Sequence, residues 1–172
     1  MIHLSQTLIE TPLGDMKAIA SKQGLFILSF QEEQSWIEER INRFYPNSSF
    51  SSKYNDTLES TCKWLTYYFE NDSKKQKESL SRVPPFDLQG TSFSTKVWHT
   101  LCCVAKGTTL TYGELANRAG SPKGARAVGQ IVGNNPIAIL IPCHRILGAN
   151  NKLTGFRSGL DRKIWLLNHE AA

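Results

Sequence analysis

A change of hydrophobic period near Pro84-Pro85 divides this chain into two unlike halves. Before it, short apolar runs alternate with turn formers: Leu8-Ile9, then Thr11-Pro12-Leu13-Gly14-Asp15, then Met16 to Ala20, then Gly24 ahead of Leu25 to Phe30. Runs of that length between Gly and Pro predict strands of a small antiparallel sheet. Helices are expected at Ser35–Phe44, where Trp36, Ile37, Ile41 and Phe44 share a face, and at Asp56–Glu70, with Leu58, Cys62, Leu65, Tyr68 and Phe69 inward. Asn71 to Ser81 has no apolar anchor and reads as an exposed loop. The fold class is therefore α+β, with a sheet-bearing domain over residues 1–85 and a helical one over 86–172.

Beyond Ser92 the spacing is helical. Ser94 is expected to cap a helix carrying Val97, Trp98, Leu101 and Cys102 and ending at Gly107, with Cys102 and Cys103 as core filler. Thr111-Tyr112-Gly113-Glu114 fits a capping box, in which a hydroxyl and a carboxylate satisfy amides at a helix start. That helix, Tyr112–Ala119, stops at Gly120, and Ser121-Pro122 should start another running to Gly133. Two short helices joined at a glycine suggest a helix-turn-helix. The second is rich in Gly and Ala, and each glycine costs up to about 1 kcal/mol relative to alanine in a helix. Close approach to another surface, a packed element or a nucleic-acid groove, would explain the tolerance. Gly148 to Lys152 has hairpin composition and returns through Leu153-Thr154-Gly155-Phe156, which would make the motif winged. A last helix, Gly159–His169, should turn Leu160, Ile164, Trp165 and Leu167 inward.

The charge is as uneven as the pattern. Residues 1–90 hold 10 Lys/Arg against 12 Asp/Glu, a balance of −2, and residues 91–172 hold 10 against 3, a balance of +7. A one-sided basic half suits a polyanion such as DNA or RNA, and equally a solvated surface. Cys62, Cys102, Cys103 and Cys143 have no zinc-type spacing, so reduced thiols are expected. With neither a leader pattern at Met1–Glu10 nor a membrane-length apolar stretch, the chain reads as cytoplasmic and free of membrane. One of the four cysteines stands out. An apolar run, Ile137 to Ile141, leads through Pro142 to Cys143, which His144 and Arg145 follow directly. Neighbouring cations lower a thiol pKa from about 8.5, so Cys143 is a candidate nucleophile, and a buried structural cysteine beside a surface His-Arg pair is an equal alternative.

Several separated motifs together resemble the O6-alkylguanine-DNA alkyltransferases, the methylated-DNA–protein-cysteine methyltransferases. They are Thr111 to Ala116, Ala125-Arg126-Ala127-Val128-Gly129, Asn135-Pro136, Ile139 to Ile146 around Pro142-Cys143-His144-Arg145, Leu153-Thr154-Gly155-Phe156 and Leu160 to Glu170. Order and spacing agree from about Phe93 to the end. The first half matches more loosely, as the family's ribonuclease-H-like α+β domain. The resemblance implies irreversible, single-turnover transfer of an alkyl group from O6 of guanine in double-stranded DNA to Cys143, by a monomer with no cofactor and no metal. In the family a water links the cysteine to the next histidine, here His144, which a glutamate on the last helix, here Glu170, orients. The target base is flipped out of the duplex. Arg126 matches the residue that fills the gap, and Tyr112 the one that displaces the target phosphate and contacts the base. Ala125, Ala127 and Gly129 belong to a recognition helix that enters the minor groove. Asn135 matches a brace for the turn into the cysteine strand, Phe156 stands over the base pocket where relatives often have Tyr, and Arg145 supports local structure. Ala138 lies where some relatives have Pro, which implies room for alkyl groups larger than methyl. The competing readings are a non-covalent DNA-damage sensor of the same fold, in which the cysteine is replaced, and a Cys-His hydrolase, for which no separate feature speaks.

Overall fold

The punctuated runs of the first half become three antiparallel strands, β1 (His3–Ile9), β2 (Met16–Ala20) and β3 (Leu25–Phe30). The computed structural model describes residues 2–51, 53, 55–70 and 82–171. A fourth strand, β4 (Ser49–Ser51), joins β1 in parallel and sets the order β3-β2-β1-β4. Its three residues, Ser-Phe-Ser, carry no apolar run, so no strand was expected there. Helix α1 (Gln34–Phe44) supplies Ile37 to a core of Leu4, Ile19, Phe26, Ile27 and Tyr45. Helix α2 (Asp56–Phe69) is capped by Asn55, whose side chain accepts from the Leu58 amide. It buries Leu58, Thr61, Trp64, Leu65 and Tyr68, leaving Cys62 and Phe69 half-buried. The inward face is set by Trp64, whose ring stacks on Tyr68 at 5.2 Å, rather than by Cys62. The loop expected at 71–81 lies outside the described residues.

The chain divides after Gln89, not between 85 and 86. Residues 85–87 run along β3: the Leu25 amide donates to Pro85 O at 2.7 Å and the Asp87 amide to Leu25 O at 2.9 Å. That bridge covers the start of the strand's open edge, at Leu25, and all six β3 residues are buried. Gly24, at φ +150°, is required there because a Cβ would collide with the Pro85 carbonyl. The di-proline marks a change of direction, and the segment after it still belongs to the first unit.

In the second unit α3 (Ser92–Cys102) is capped by Thr91, whose hydroxyl accepts from the Ser94 amide, so the cap sits three residues before Ser94. Val97, Trp98 and Leu101 are buried, whereas Cys102 and Cys103 are exposed. The inward stripe passes from Leu101 to Val104, and the two intervening cysteines fall on the outer face. Strand β5 (Leu110–Thr111) pairs in parallel with β6 (Ile146–Leu147). Helix α4 (Tyr112–Arg118) starts on the Thr111–Glu114 capping box and ends near Gly120, at φ +81°. Ser121 and Pro122 form a turn, closed by Gly124 N donating to Ser121 O at 2.8 Å, so α5 (Ala125–Gly133) begins later than the Ser-Pro signal predicts.

Two expectations about the C-terminal stretch fail. No strand-paired hairpin follows Leu147: the expected turn forms, with Asn150 and Asn151 left-handed at φ +57° and +56° and Gly148 N donating to Lys152 O at 2.8 Å, but residues 152–159 form no strand. The last helix, α6 (Leu160–Ala171), exposes Leu160, Ile164 and Trp165 and buries Lys163, Leu166 and Glu170. Its charged face turns inward because Lys163 and Glu170 both find buried partners.

Candidate active site

The Cys143 thiol is presented by a knot of turns, not by a strand. Ile141 N donates to Ile137 O, Leu140 N to Ala138 O and Cys143 N to Ile141 O, at 2.8–3.0 Å. Ile139 is held at φ +70°, a conformation in which a β-branched residue is strained by about 1–3 kcal/mol. Asn135 fixes the knot from within. Its Oδ1 accepts from Ile137 N at 3.0 Å, and its Nδ2 donates to Ile141 O at 2.8 Å and to Cys143 Sγ at 3.0 Å. The brace expected of Asn135 thus reaches the sulfur itself.

His144 and Glu170 meet as a buried pair, Nε2 to Oε1 at 2.8 Å. Arg145 grips the same carboxylate with two donors, Nε to Oε2 at 2.7 Å and Nη2 to Oε1 at 2.8 Å, and donates a third hydrogen bond to Val104 O at 2.5 Å. Burial pushes the Glu170 carboxyl up, but the hydrogen bonds from His144 and Arg145 and the Arg145 charge outweigh it and hold the group well below the usual carboxylate range. Burial pulls His144 below its ordinary pKa, with Glu170 opposing. A neutral imidazole beside an ionised carboxylate donates through Nε2, which leaves a lone pair on Nδ1. That nitrogen is buried and has no hydrogen-bond partner among the described residues.

The thiol is not activated in the way the Cys-His-Arg sequence suggests. Burial raises the Cys143 pKa, opposed first by the Asn135 hydrogen bond and then by the charges of Arg157 and Lys163. Arg145 is spent on Glu170. Lys163 is wholly buried, and its ammonium donates to Ile146 O, Thr154 O and Gly155 O at 2.5, 2.9 and 3.4 Å. Burial lowers its pKa, with Cys143 opposing. It thereby ties β6 to the loop that replaces the expected wing. Arg157, on that loop, donates to Gly133 O at 3.0 Å and to Asn135 O at 3.1 Å.

A small recess, open at its mouth, lies over Cys143 and is lined by Asn135, Ala138, Gly155, Phe156 and Arg157 among others. Of the predicted residues, Cys143, Asn135, Ala138 and Phe156 meet here. Half-buried Tyr112 stands beside it: a Cβ on Gly155 would lie 3.3 Å from its hydroxyl and one on Gly129 3.6 Å from its ring. Burial raises the Tyr112 pKa, and Cys143 adds to this. On α5, Val128 and Val132 face inward and Arg126 and Ala127 are exposed, with Ala125 and Gly129 half-buried. Lys163 and Arg157 were missed. A basic residue in a polar-looking helix or loop gives no sequence sign of facing a thiol.

The comparisons agree across the whole chain. Residues 92–172 match the family described as 6-O-methylguanine DNA methyltransferase, DNA binding domain, and residues 4–81 match its ribonuclease-like domain. The chain belongs to this methyltransferase family. It is 36% identical over 165 residues to the methylated-DNA–protein-cysteine methyltransferase of Methanosarcina acetivorans, covering 96% of this chain and 97% of the relative. The protein of the same name from Shigella flexneri is 33% identical over 171 residues, 99% of this chain and 97% of that one. Among solved structures, Mycobacterium tuberculosis OGT in complex with DNA superposes with a TM-score of 0.74 at 32% identity, covering 98% of this chain and 92% of that chain. The family's two-part α+β fold, a small sheet domain followed by a helical one, is the fold seen here. Among the described residues no three His, Cys, Asp or Glu side chains gather as a metal site, and no helix is long and apolar enough to cross a membrane.

Proposed function

We propose that this protein repairs DNA by direct reversal, moving a methyl or larger alkyl group from O6 of guanine onto Cys143 in a single irreversible turnover. The observation that carries the reading is the buried His144–Glu170 pair, adjacent in the chain to a sulfur that a recess leaves open to a ligand. A thiol with a raised pKa needs a base at hand, and His144, kept neutral, has an acceptor nitrogen to offer. The Cys143 proton passes to Nδ1 through a water, and the imidazolium formed is stabilised by Glu170, which Arg145 keeps ionised. The sulfur attacks the alkyl carbon, the S–C bond forms, the C–O6 bond breaks, and its electron pair stays on O6. The base leaves as guanine once a proton returns to it. Because the thioether has no route back, the protein acts once.

An alkyl carbon on a stacked guanine cannot be approached in line, so the nucleotide is flipped into the recess. Exposed Arg126 fills the vacated stack, Tyr112 displaces the phosphate and contacts the base, and Ala125, Ala127 and Gly129 let α5 approach the minor groove closely. The +7 balance of residues 91–172 supplies the phosphate-directed attraction. Phe156 stacks on the base. The protein works as a monomer on double-stranded DNA, without cofactor or metal, in the cytoplasm, where its four free cysteines stay reduced.

Mass spectrometry after incubation with a duplex containing O6-methylguanine tests this. One methyl per chain, mapped to Cys143 and absent from Cys143→Ser, is the expected result. Binding without an adduct would instead make the protein a damage sensor, and repeated turnover would make it a hydrolase.

A further inference from the structure

Helix α5 exposes Arg126, Ala127, Gln130 and Gly133, and its C-cap Asn134 is exposed as well. Gln130 lies one turn after Arg126 and one turn before Asn134, on the same face. Just beyond it Gly133 lines the recess over Cys143. Asn134 is turned back on the helix, its Nδ2 donating to Gln130 O at 3.0 Å. The Gln130 side chain makes no hydrogen bond among the described residues. On α5 it is the one exposed side chain with both a donor and an acceptor to offer, since a guanidinium only donates. A helix rises about 1.5 Å per residue, so Gln130 stands about 6 Å along α5 from Arg126, and base pairs repeat about every 3.4 Å. With Arg126 in the vacated stack, Gln130 comes level with the pairs adjoining the lesion.

We propose that Gln130 is a specificity-determining residue that reads guanine in the base pairs adjoining the lesion, its Oε1 accepting from guanine N2 and its Nε2 donating to guanine N3. The inference rests on the reading of α5 as the helix that enters the minor groove with Arg126 in the emptied stack. In that groove A·T and T·A pairs show only the acceptors A N3 and T O2, and guanine adds the N2 donor. Reading that donor needs an acceptor, which arginine and lysine lack and a carboxamide has. A carboxamide of this reach makes both bonds at once and carries no charge. Its discrimination is therefore separate from the phosphate-directed attraction of the basic residues, which is blind to sequence. Transfer at Cys143 is chemically the same in every context. What differs is how well the flipped complex is held, and so how fast a lesion flanked by G·C pairs is repaired.

The test compares single-turnover transfer to Cys143, at subsaturating protein, from O6-methylguanine duplexes whose flanking pairs on both sides are either G·C or inosine·C. Inosine lacks only the 2-amino group of guanine, so the phosphates and the major-groove edge of the purine are kept. The guanine-to-inosine rate ratio is expected to be about tenfold higher for wild type than for Gln130→Met, the size of one bidentate base contact. Taking the ratio within each protein cancels the folded fraction, and comparing proteins cancels the weaker inosine·C pairing. Gln130→Glu, which keeps the acceptor for guanine N2, should slow transfer through its charge yet retain part of the ratio. Equal ratios in wild type and Gln130→Met overturn the proposal. So does a wild-type preference that survives inosine and is lost when the flanking guanines become 7-deazaguanine, which alters only the major groove. Absence of methyl transfer from every duplex would instead contradict the underlying reading, before any ratio is taken.

Discussion

Among the described residues each half of the molecule buries one carboxylate, and the two are used differently. In the first, Asp87 is 4% exposed and accepts hydrogen bonds from the hydroxyls of Ser21 and Tyr45 and the amide of Gln89. All three donors are neutral at physiological pH, and the group ties residues of β2's end, α1's end and the segment beside β3 into a closed knot. In the second, Glu170 is 6% exposed and takes its donors from Arg145, a cation, and His144, a titratable base. That network does not close, because it ends on a histidine nitrogen without a protein partner among the described residues. A closed buried network fastens a fold, and an open one that ends beside a nucleophile can move a proton.

Substitutions at the two carboxylates should separate these roles. Glu170→Gln leaves Arg145 facing a neutral amide in a buried site and should cost roughly 3–5 kcal/mol of stability in urea denaturation. Asp87→Asn should cost less, about 1–3 kcal/mol, since its partners are neutral, and should leave methyl transfer per folded molecule unaltered. If Asp87→Asn slowed transfer as Glu170→Gln does, the distinction between fastener and relay would break.

The same contrast sets a pH dependence. Burial holds His144 below its usual pKa, so between that value and about 6.5 the unfolded chain binds a proton that the folded chain refuses. Stability therefore falls as pH drops below about 6.5, and falls again below about 4.3 as the depressed Glu170 is forced to protonate. Cys143 works in the other direction. Its raised pKa stabilises the fold below about 8.5, and that contribution is lost as pH climbs above it. Urea midpoints measured across pH should peak between about 6.5 and 8.5, and Glu170→Gln should remove the lower acid-side loss.

Two smaller effects sharpen the account of the recess. Arg126→Ala should slow transfer from duplex DNA about tenfold or more and leave free O6-benzylguanine nearly untouched, because only the duplex requires flipping. Equal losses on both substrates would remove Arg126 from that role. Ala138→Pro should narrow the wall and lower benzyl relative to methyl transfer a few-fold, a difference on the order of 1 kcal/mol. Unchanged relative rates would show that Ala138 does not set the room available.

Much of this was legible in the sequence, and the failures share a cause. The strands and the Thr111–Glu114 capping box follow from local pattern, and Asn135 and Glu170 were reached through separated motifs. What the pattern could not give was the inward face of α6. Leu160, Ile164 and Trp165 are the apolar stripe, yet Lys163 and Glu170 turn in because the carbonyls of Ile146, Thr154 and Gly155, with Arg145 and His144, reward their burial more. Those partners lie far along the chain from them. The same holds for the thiol. Cys143-His144-Arg145 suggests direct activation by neighbours, but the turn sends Arg145 to Glu170, and the cations acting on the sulfur come from Arg157 and Lys163.

The central claim is that Cys143 depends on the open His144–Glu170 network for its proton, and single-turnover kinetics test it most directly. Methyl transfer from an O6-methylguanine duplex should be followed for wild type and Glu170→Gln at pH 7, each corrected to its folded fraction. The expected result is one methyl per wild-type chain on Cys143 and a rate about 100-fold lower for Glu170→Gln, in the range typical of a lost general base. Transfer by folded Glu170→Gln at the wild-type rate would contradict the account.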